Sequence, residues 1–222
     1  MAVKINAHDT HDANYNIDLN QVTPFMPESP IDFSTAPIVL DAYEVADEEH
    51  FGVYRDYTGE PYINHPVEVA RLLSTVPHTP AMLAAALLHD VLEDTGYTEA
   101  KMRVRFGDEV TELVKMVTKV STKDDGPRWQ RAAMDMAHLA TASPAGQSIK
   151  LADIICNCRT IADHDPQRAL GYLNEKLAVL QVITQGDPEL WQAALDTVLQ
   201  GLQKAQRLAP GQDPQPRETA AA

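Results

Sequence analysis

Apolar residues recur every three to four positions along most of the chain between residues 37 and 206, which is the spacing of amphipathic helices. Val110, Leu113, Val114 and Val117, for example, fall on one helical face. No stretch alternates apolar and polar residues for long enough to predict a strand. The pattern therefore predicts an all-α fold with about eight or nine helices. The expected helices are 37–54, 66–75, 80–94, 98–106, 108–120, 128–141, 146–163, 167–184 and 188–206.

Several of these helices have a clear start signal, in which an N-cap residue is followed by proline at the first helical position. The side chain of the N-cap residue accepts a hydrogen bond from a free backbone N–H, and proline has no N–H to leave unpaired. The pairs are Thr79-Pro80, Ser143-Pro144, Asp165-Pro166 and Asp187-Pro188.

The helical pattern covers one domain, 37–206, between two ends of different composition. Residues 1–36 are rich in Asn, Asp, Thr and Pro and show no period, which predicts an irregular N-terminal arm. The polar and proline-rich end, 207–222, predicts a disordered tail.

Composition narrows the classes of function. The 222 residues carry a formal net charge of −14, which argues against a nucleic-acid binder held by phosphate contacts. No apolar run of about 18 residues appears, so no membrane span is expected. The two cysteines, Cys156 and Cys158, are too close together for an ordinary disulfide and too few for a zinc site. A reducing compartment, the cytoplasm, is therefore expected.

The stretch LAAALLHDVLEDTG, residues 83–96, places four ionisable side chains, His89, Asp90, Glu93 and Asp94, after an apolar run. Each residue of a helix advances by about 100°, so these four share one stripe opposite an apolar side. Because the run is too apolar for an exposed helix, the stripe needs a partner. A divalent cation would provide one, since imidazole and carboxylate groups are metal ligands. A solvated acidic helix end is the alternative.

Two other stretches offer further ligands. His65 directly precedes Pro66 in GEPYINHP, residues 59–66, and Asp153 lies with Asn157 on one face of IKLADIICNCRT, residues 149–160. Taken alone, His65 is also typical of a helix cap or a surface residue. Taken alone, Asp153 fits a metal ligand and a carboxylate bonded to a helix terminus or an arginine equally well.

These pieces, in this order, resemble the HD superfamily of metal-dependent phosphohydrolases. The resemblance extends to the hydrolase domain of the RelA/SpoT alarmone enzymes and spans roughly residues 40–183. It implies an HD-domain helical bundle at 37–206 and a stand-alone small alarmone hydrolase. Its expected activity is removal of the 3′-pyrophosphate from ppGpp and pppGpp. The stretches that carry it are HFGVYR (50–55), GEPYINHP (59–66), AALLHDVLEDT (85–95), FGDEVTELVKMVTK (106–119) and IKLADIICNCRT (149–160).

The resemblance also implies roles for single residues. It implies that one Mn²⁺, or another divalent metal, is bound by the four ligands His65, His89, Asp90 and Asp153. It implies that Glu93 and Asp94 form the catalytic pair, in which Glu93 orients the attacking water or accepts its proton. It implies that the substrate is bound by Arg55, Asn157 and Thr160.

Three positions depart from the family pattern. Val53 replaces a glutamine, Asp56 replaces a residue that is often basic, and Ile154 replaces an arginine. The substrate contacts are therefore altered, and the alternative substrates are the adenosine analogue ppApp or another nucleoside phosphate. A catalytically silent module that senses an alarmone is the second alternative. The expected partner is a nucleotide, with no nucleic acid and no membrane, and a homo-oligomer is left open.

Overall fold

Nine α-helices and their connections make up residues 36–209, the part of the chain that the computed structural model describes. The expected all-α fold is confirmed for this part of the chain. The predicted arm at 1–36 lies outside it apart from Ala36, and so does the predicted tail beyond residue 209. The helices are α1 Pro37–Glu49, α2 Asn64–Leu73, α3 Pro80–Leu88, α4 Val91–Asp94, α5 Glu99–Val117, α6 Arg128–Ala140, α7 Pro144–His164, α8 Pro166–Leu180 and α9 Pro188–Leu208.

The four predicted N-cap and proline pairs all start helices. Thr79 accepts a hydrogen bond from the N–H of Met82, and Ser143 accepts one from the N–H of Gly146. The carboxylates of Asp165 and Asp187 accept equivalent bonds at the starts of α8 and α9. The starts of these helices are therefore set by local chemistry.

The expected continuous helix at 80–94 is wrong. α3 ends at Leu88 and α4 begins at Val91, so His89 and Asp90 form a corner between two helices. The backbone of both corner residues stays in the right-handed helical region, which explains why the periodicity runs on through the break.

Gly107 marks the second difference. The sequence predicts two helices, at 98–106 and 108–120, and the structure has one element, α5, with a kink inside it. Gly107 has φ +80° and ψ 179°, a conformation that is essentially restricted to glycine. The predicted break is therefore present as a kink in α5.

The segment between α1 and α2 differs from the prediction as well. α1 ends at Glu49 instead of residue 54, and an isolated antiparallel bridge joins Tyr54 to Pro61. The N–H of Arg55 donates to the carbonyl of Glu60, and the N–H of Tyr62 donates to the carbonyl of Val53. These bonds make residues 50–63 a hairpin-like loop that leads into α2.

α3 and α7 are the most deeply buried helices. Ala84–Leu88 of α3 are fully buried, and so are Leu151 and Ile154 of α7. α7 packs against α2, α3, α5, α8 and α9. Polar residues on these two helices therefore lie in the interior and need partners there. Within residues 36–209, no helix has the length and apolar character needed to span a membrane.

Candidate active site

Four candidate ligands from three separate parts of the chain meet in the interior. His65 lies in the first turn of α2, His89 and Asp90 form the corner between α3 and α4, and Asp153 lies on α7. His65 Nε2 is 3.2 Å from Asp153 Oδ1 and 3.5 Å from Asp90 Oδ2. His89 Nε2 is 3.1 Å from Asp90 Oδ2 and 3.6 Å from Asp153 Oδ1. The structure therefore brings together four residues that the sequence separates by up to 88 positions, from 65 to 153.

The donor atoms fit a divalent cation. His89 Nδ1 donates to the carbonyl of Ala86 at 2.7 Å, so Nε2 is the ring nitrogen left to bind a metal. Nε2 is buried and makes no aligned hydrogen bond to any residue that the structure describes. His65, His89 and Asp90 each place one ligand atom within 4.8 Å of the others. These three residues could hold a divalent metal ion, and Asp153 lies close to both imidazoles from α7.

The electrostatics of the cluster favour a cation. Burial lowers the pKa of His89, but the Asp90 and Asp153 carboxylates outweigh burial and raise this pKa to about 10. Burial raises the pKa of Asp153, but the Lys150 ammonium and the two imidazoles hold it well below its usual range. Burial also raises the pKa of Asp90, but the neighbouring His89 imidazole outweighs burial and lowers this pKa, so both carboxylates stay ionised and available as ligands.

The two predicted catalytic carboxylates lie in α4, one turn after the corner. The Glu93 carboxylate contacts the Lys119 ammonium at the end of α5. Asp94 accepts a hydrogen bond from the Tyr62 hydroxyl at 3.4 Å. Burial, followed by the charges of Asp90 and Glu93, raises the pKa of Asp94. Both side chains thus border the ligand cluster, and their catalytic roles stay predictions.

The predicted substrate residues Arg55, Asn157 and Thr160 line one cleft of about 300 Å³. His65 lines the same cleft, so the cleft opens onto the ligand cluster. Arg55 donates to Asn157 Oδ1 at 3.2 Å, and Asn157 donates in turn to Asp153 Oδ1. A chain of hydrogen bonds therefore connects the cleft to a candidate metal ligand.

Sequence reasoning missed several groups at this site. Tyr62 donates to Asp90 Oδ2 at 2.7 Å, and the Lys150 ammonium lies 2.7 Å from Asp153 Oδ2. Arg168 and Tyr172 of α8 line the same cleft as Arg55. The sequence contained one signal for two of these groups. Tyr62 precedes His65 by three residues and Lys150 precedes Asp153 by three, a spacing that brings side chains together on a helix. The contribution of α8 has no local signal, since only packing brings that helix to the cleft.

Comparison with known proteins identifies a family for most of the chain that the structure describes. The sequence profile of the HD domain matches residues 42–184. All nine predicted site residues, from Arg55 to Thr160, lie inside that range.

Two relatives and one solved structure are informative. The probable GTP pyrophosphokinase of Mycobacterium leprae is 39% identical over 144 residues, which cover 64% of this chain and 18% of that protein. The guanosine-3′,5′-bis(diphosphate) 3′-pyrophosphohydrolase MESH1 of Xenopus tropicalis is 38% identical over 138 residues, which cover 60% of this chain and 75% of that protein. The solved structure of a metazoan ortholog of SpoT that hydrolyses ppGpp aligns with a TM-score of 0.68 and 26% identity. That alignment covers 75% of this chain and 97% of the other.

Proposed function

Because this chain belongs to the HD-domain family, we propose that it is a divalent-metal-dependent hydrolase that removes the 3′-diphosphate from ppGpp and pppGpp. The products are GDP or GTP and inorganic pyrophosphate. The observation that carries the proposal is the meeting of two imidazoles and two carboxylates beside a cleft lined by the predicted substrate residues. Further support comes from MESH1, which is named for this reaction.

We assign the metal to His65, His89, Asp90 and Asp153, and we propose Mn²⁺ as the ion. When bound, the ion supplies Lewis acidity for activating water and positive charge for the phosphoryl group. The hydrogen bond from His89 Nδ1 to Ala86 fixes the ring with Nε2 facing the cluster. The ammonium of Lys150 holds the second oxygen of Asp153, which leaves the first oxygen to face the imidazoles.

Glu93 is the proposed general base. The reaction adds water across the bond between the 3′ oxygen and its phosphorus. The water oxygen joins the phosphorus, Glu93 takes the proton, and the 3′ oxygen leaves and is protonated. The contact with Lys119 holds the Glu93 carboxylate near the cluster. The Tyr62 hydroxyl contacts both Asp90 and Asp94, so it links the proposed ligand to the second carboxylate of α4.

Arg55, Asn157 and Thr160 are proposed to bind the nucleoside part of the substrate in the cleft. The guanidinium groups of Arg55 and Arg168 offer charged donors to phosphate, and the rings of Tyr57 and Tyr172 offer faces for a base. The local cations thus allow an acidic protein to bind a polyanion.

A second candidate is the same hydrolysis on another nucleotide, such as ppApp. Two of the three departures from the family pattern, Val53 and Asp56, line the cleft, so they can alter the choice of substrate. Ile154, the third departure, is fully buried in α7 and therefore cannot contact a nucleotide.

The test is turnover of a nucleotide panel with Mn²⁺ and with excess chelator. The expected result is pyrophosphate release from ppGpp, loss of activity with chelator, and loss of both metal and activity in Asp90→Ala. Release from ppApp alone would favour the second candidate. If no 3′-diphosphorylated nucleotide is cleaved by the metal-loaded protein, the proposed function is wrong.

A further inference from the structure

A second cavity, of about 350 Å³, lies between α5, α6, α7 and α8. Its polar lining includes three lysines, Lys119, Lys150 and Lys176, and two carboxylates, Asp135 and Glu175. Most of its apolar lining is one face of α6, which contributes Trp129, Met136 and Leu139. An apolar wall keeps water away from charged groups and so strengthens their interaction with an anion.

Lys176 is the lysine without a counter-ion. Among residues 36–209, no carboxylate lies within ion-pair distance of its ammonium, which sits 4.9 Å from the centroid of the Tyr172 ring. The two carboxylates that line the cavity are engaged elsewhere. Asp135 accepts three hydrogen bonds from Val120 and Ser121, and Glu175 pairs with Arg128.

The other two lysines link the cavity to the candidate active site. Lys150 holds Asp153 Oδ2, while Oδ1 of the same carboxylate faces the two imidazoles. Lys119 holds Glu93, the proposed base. Lys150 therefore lies between this cavity and the ligand cluster. The nucleoside cleft reaches the cluster at His65 and shares no lining residue with the cavity.

We propose that this cavity binds the pyrophosphoryl end of the substrate, with Lys176 as the residue that pairs with it. The inference rests on the proposed function, because it assumes a diphosphate that reacts at the cluster. With the nucleoside in the cleft and the 3′ phosphorus at the cluster, the terminal phosphoryl group extends past the cluster towards the lysines. Pyrophosphate, the product that takes up the water oxygen, then keeps its contact with Lys176 as the bond to the 3′ oxygen breaks.

The lowered pKa of Lys176 is consistent with this assignment. Burial and the nearby Lys150 ammonium both disfavour its charged form, and the charge of Asp153 offsets them only in part. A phosphate oxygen at this position would supply that missing charge.

The test is calorimetric titration of inorganic pyrophosphate into the folded protein, with and without Mn²⁺, for the wild type and three variants. Lys176→Met keeps the length of the side chain and removes its charge, and Lys176→Arg keeps the charge. Lys101→Met is the control, because Lys101 is also a lysine near a tyrosine ring, 5.8 Å from the centroid of Tyr97 on exposed surface. Circular dichroism checks that every variant is folded.

We expect Lys176→Met to weaken pyrophosphate binding about tenfold, and Lys176→Arg to restore most of it. Lys101→Met should bind pyrophosphate like the wild type, and GDP binding should be the same in all four proteins. Unchanged pyrophosphate affinity in Lys176→Met would overturn the inference, as would wild-type protein that does not bind pyrophosphate. Neither result depends on turnover, so the nucleotide panel tests the proposed function separately.

Discussion

The Tyr62 hydroxyl lies 2.7 Å from Asp90 Oδ2, and this bond joins the loop before α2 to the corner between α3 and α4. Burial and the Asp90 carboxylate raise the pKa of Tyr62, so the phenol stays protonated and acts as the donor. His50 stacks on the Tyr62 ring with centroids 4.7 Å apart, which fixes the direction of the hydroxyl. A group outside the predicted ligand set thus orients one of the proposed ligands.

Tyr62→Phe should therefore weaken binding of the divalent metal while the chain stays folded. Loss of a group that orients a ligand typically costs about 10-fold to 100-fold in metal affinity. Competition with a chromophoric chelator measures this affinity. Tyr97→Phe is the control and should bind metal normally, because Tyr97 lies just before α5 with its ring near Lys101. Equal metal affinity in both variants would show that the bond to Asp90 does not position that ligand.

Glu93→Gln should keep the metal and lose most of the catalytic rate. The amide has nearly the same shape as the carboxylate but cannot accept a proton from water, and general-base catalysis is worth about 10²-fold to 10⁴-fold. Steady-state kinetics with metal content measured on the same sample separates the two effects. Glu109→Gln, on the exposed side of α5, is the matched control. A near-normal kcat in Glu93→Gln would exclude Glu93 from proton transfer.

Arg55→Ala should raise KM for the nucleotide about tenfold, since a charge-assisted hydrogen bond is worth roughly 1.5–3 kcal/mol. The guanidinium lines the cleft and donates to Asn157 at 3.2 Å, so its loss affects substrate binding more than metal binding. Arg105→Ala removes an arginine that pairs with Asp41 on the surface and should leave KM unchanged. If Arg55→Ala lowers kcat alone, Arg55 is not a substrate-binding residue.

Asp153→Asn should destabilise the protein by about 3 kcal/mol in the presence of chelator, because it leaves the largely buried Lys150 ammonium unpaired. Adding Lys150→Met to this variant should recover much of the loss. Urea unfolding measures the free energy of unfolding of the single and the double variant. The exposed pair of Lys204 and Asp163 provides the comparison, and Asp163→Asn should change stability by less than about 1 kcal/mol. A double variant no more stable than Asp153→Asn would show that the unpaired charge is not the cause.

Gly107→Ala should destabilise the protein by about 1–3 kcal/mol through backbone strain alone. No atom lies within 4 Å of the place where the new methyl group would be, so steric contact adds nothing. Gly171→Ala tests the opposite case. Gly171 is an exposed residue of α8 with open space around it, so alanine at this position should stabilise the protein by about 0.5–1 kcal/mol. If both variants shift the unfolding midpoint in the same direction, backbone strain at Gly107 is not what separates the two positions.

The sequence determined the helical class, most helix starts and the identity of the candidate ligands. Capping bonds and helical periodicity depend on residues within one or two turns, so Thr79-Pro80 and Ser143-Pro144 could be interpreted without a fold. An ionisable stripe beside Leu87 and Leu88 required a buried partner for the same local reason.

Only the tertiary structure decided the rest. His89 and Asp90 keep helical dihedral angles at the corner between α3 and α4. The spacing of apolar residues in the sequence therefore does not reveal that the helix is interrupted there. The contacts of Tyr62 with Asp90 and of Lys119 with Glu93 join residues at least 26 positions apart. The packing of α8 against α7 and α9 decides that Lys176 and Tyr172 lie near the cluster. Such contacts depend on how whole helices pack, and packing is a property of the complete core, which no local pattern contains.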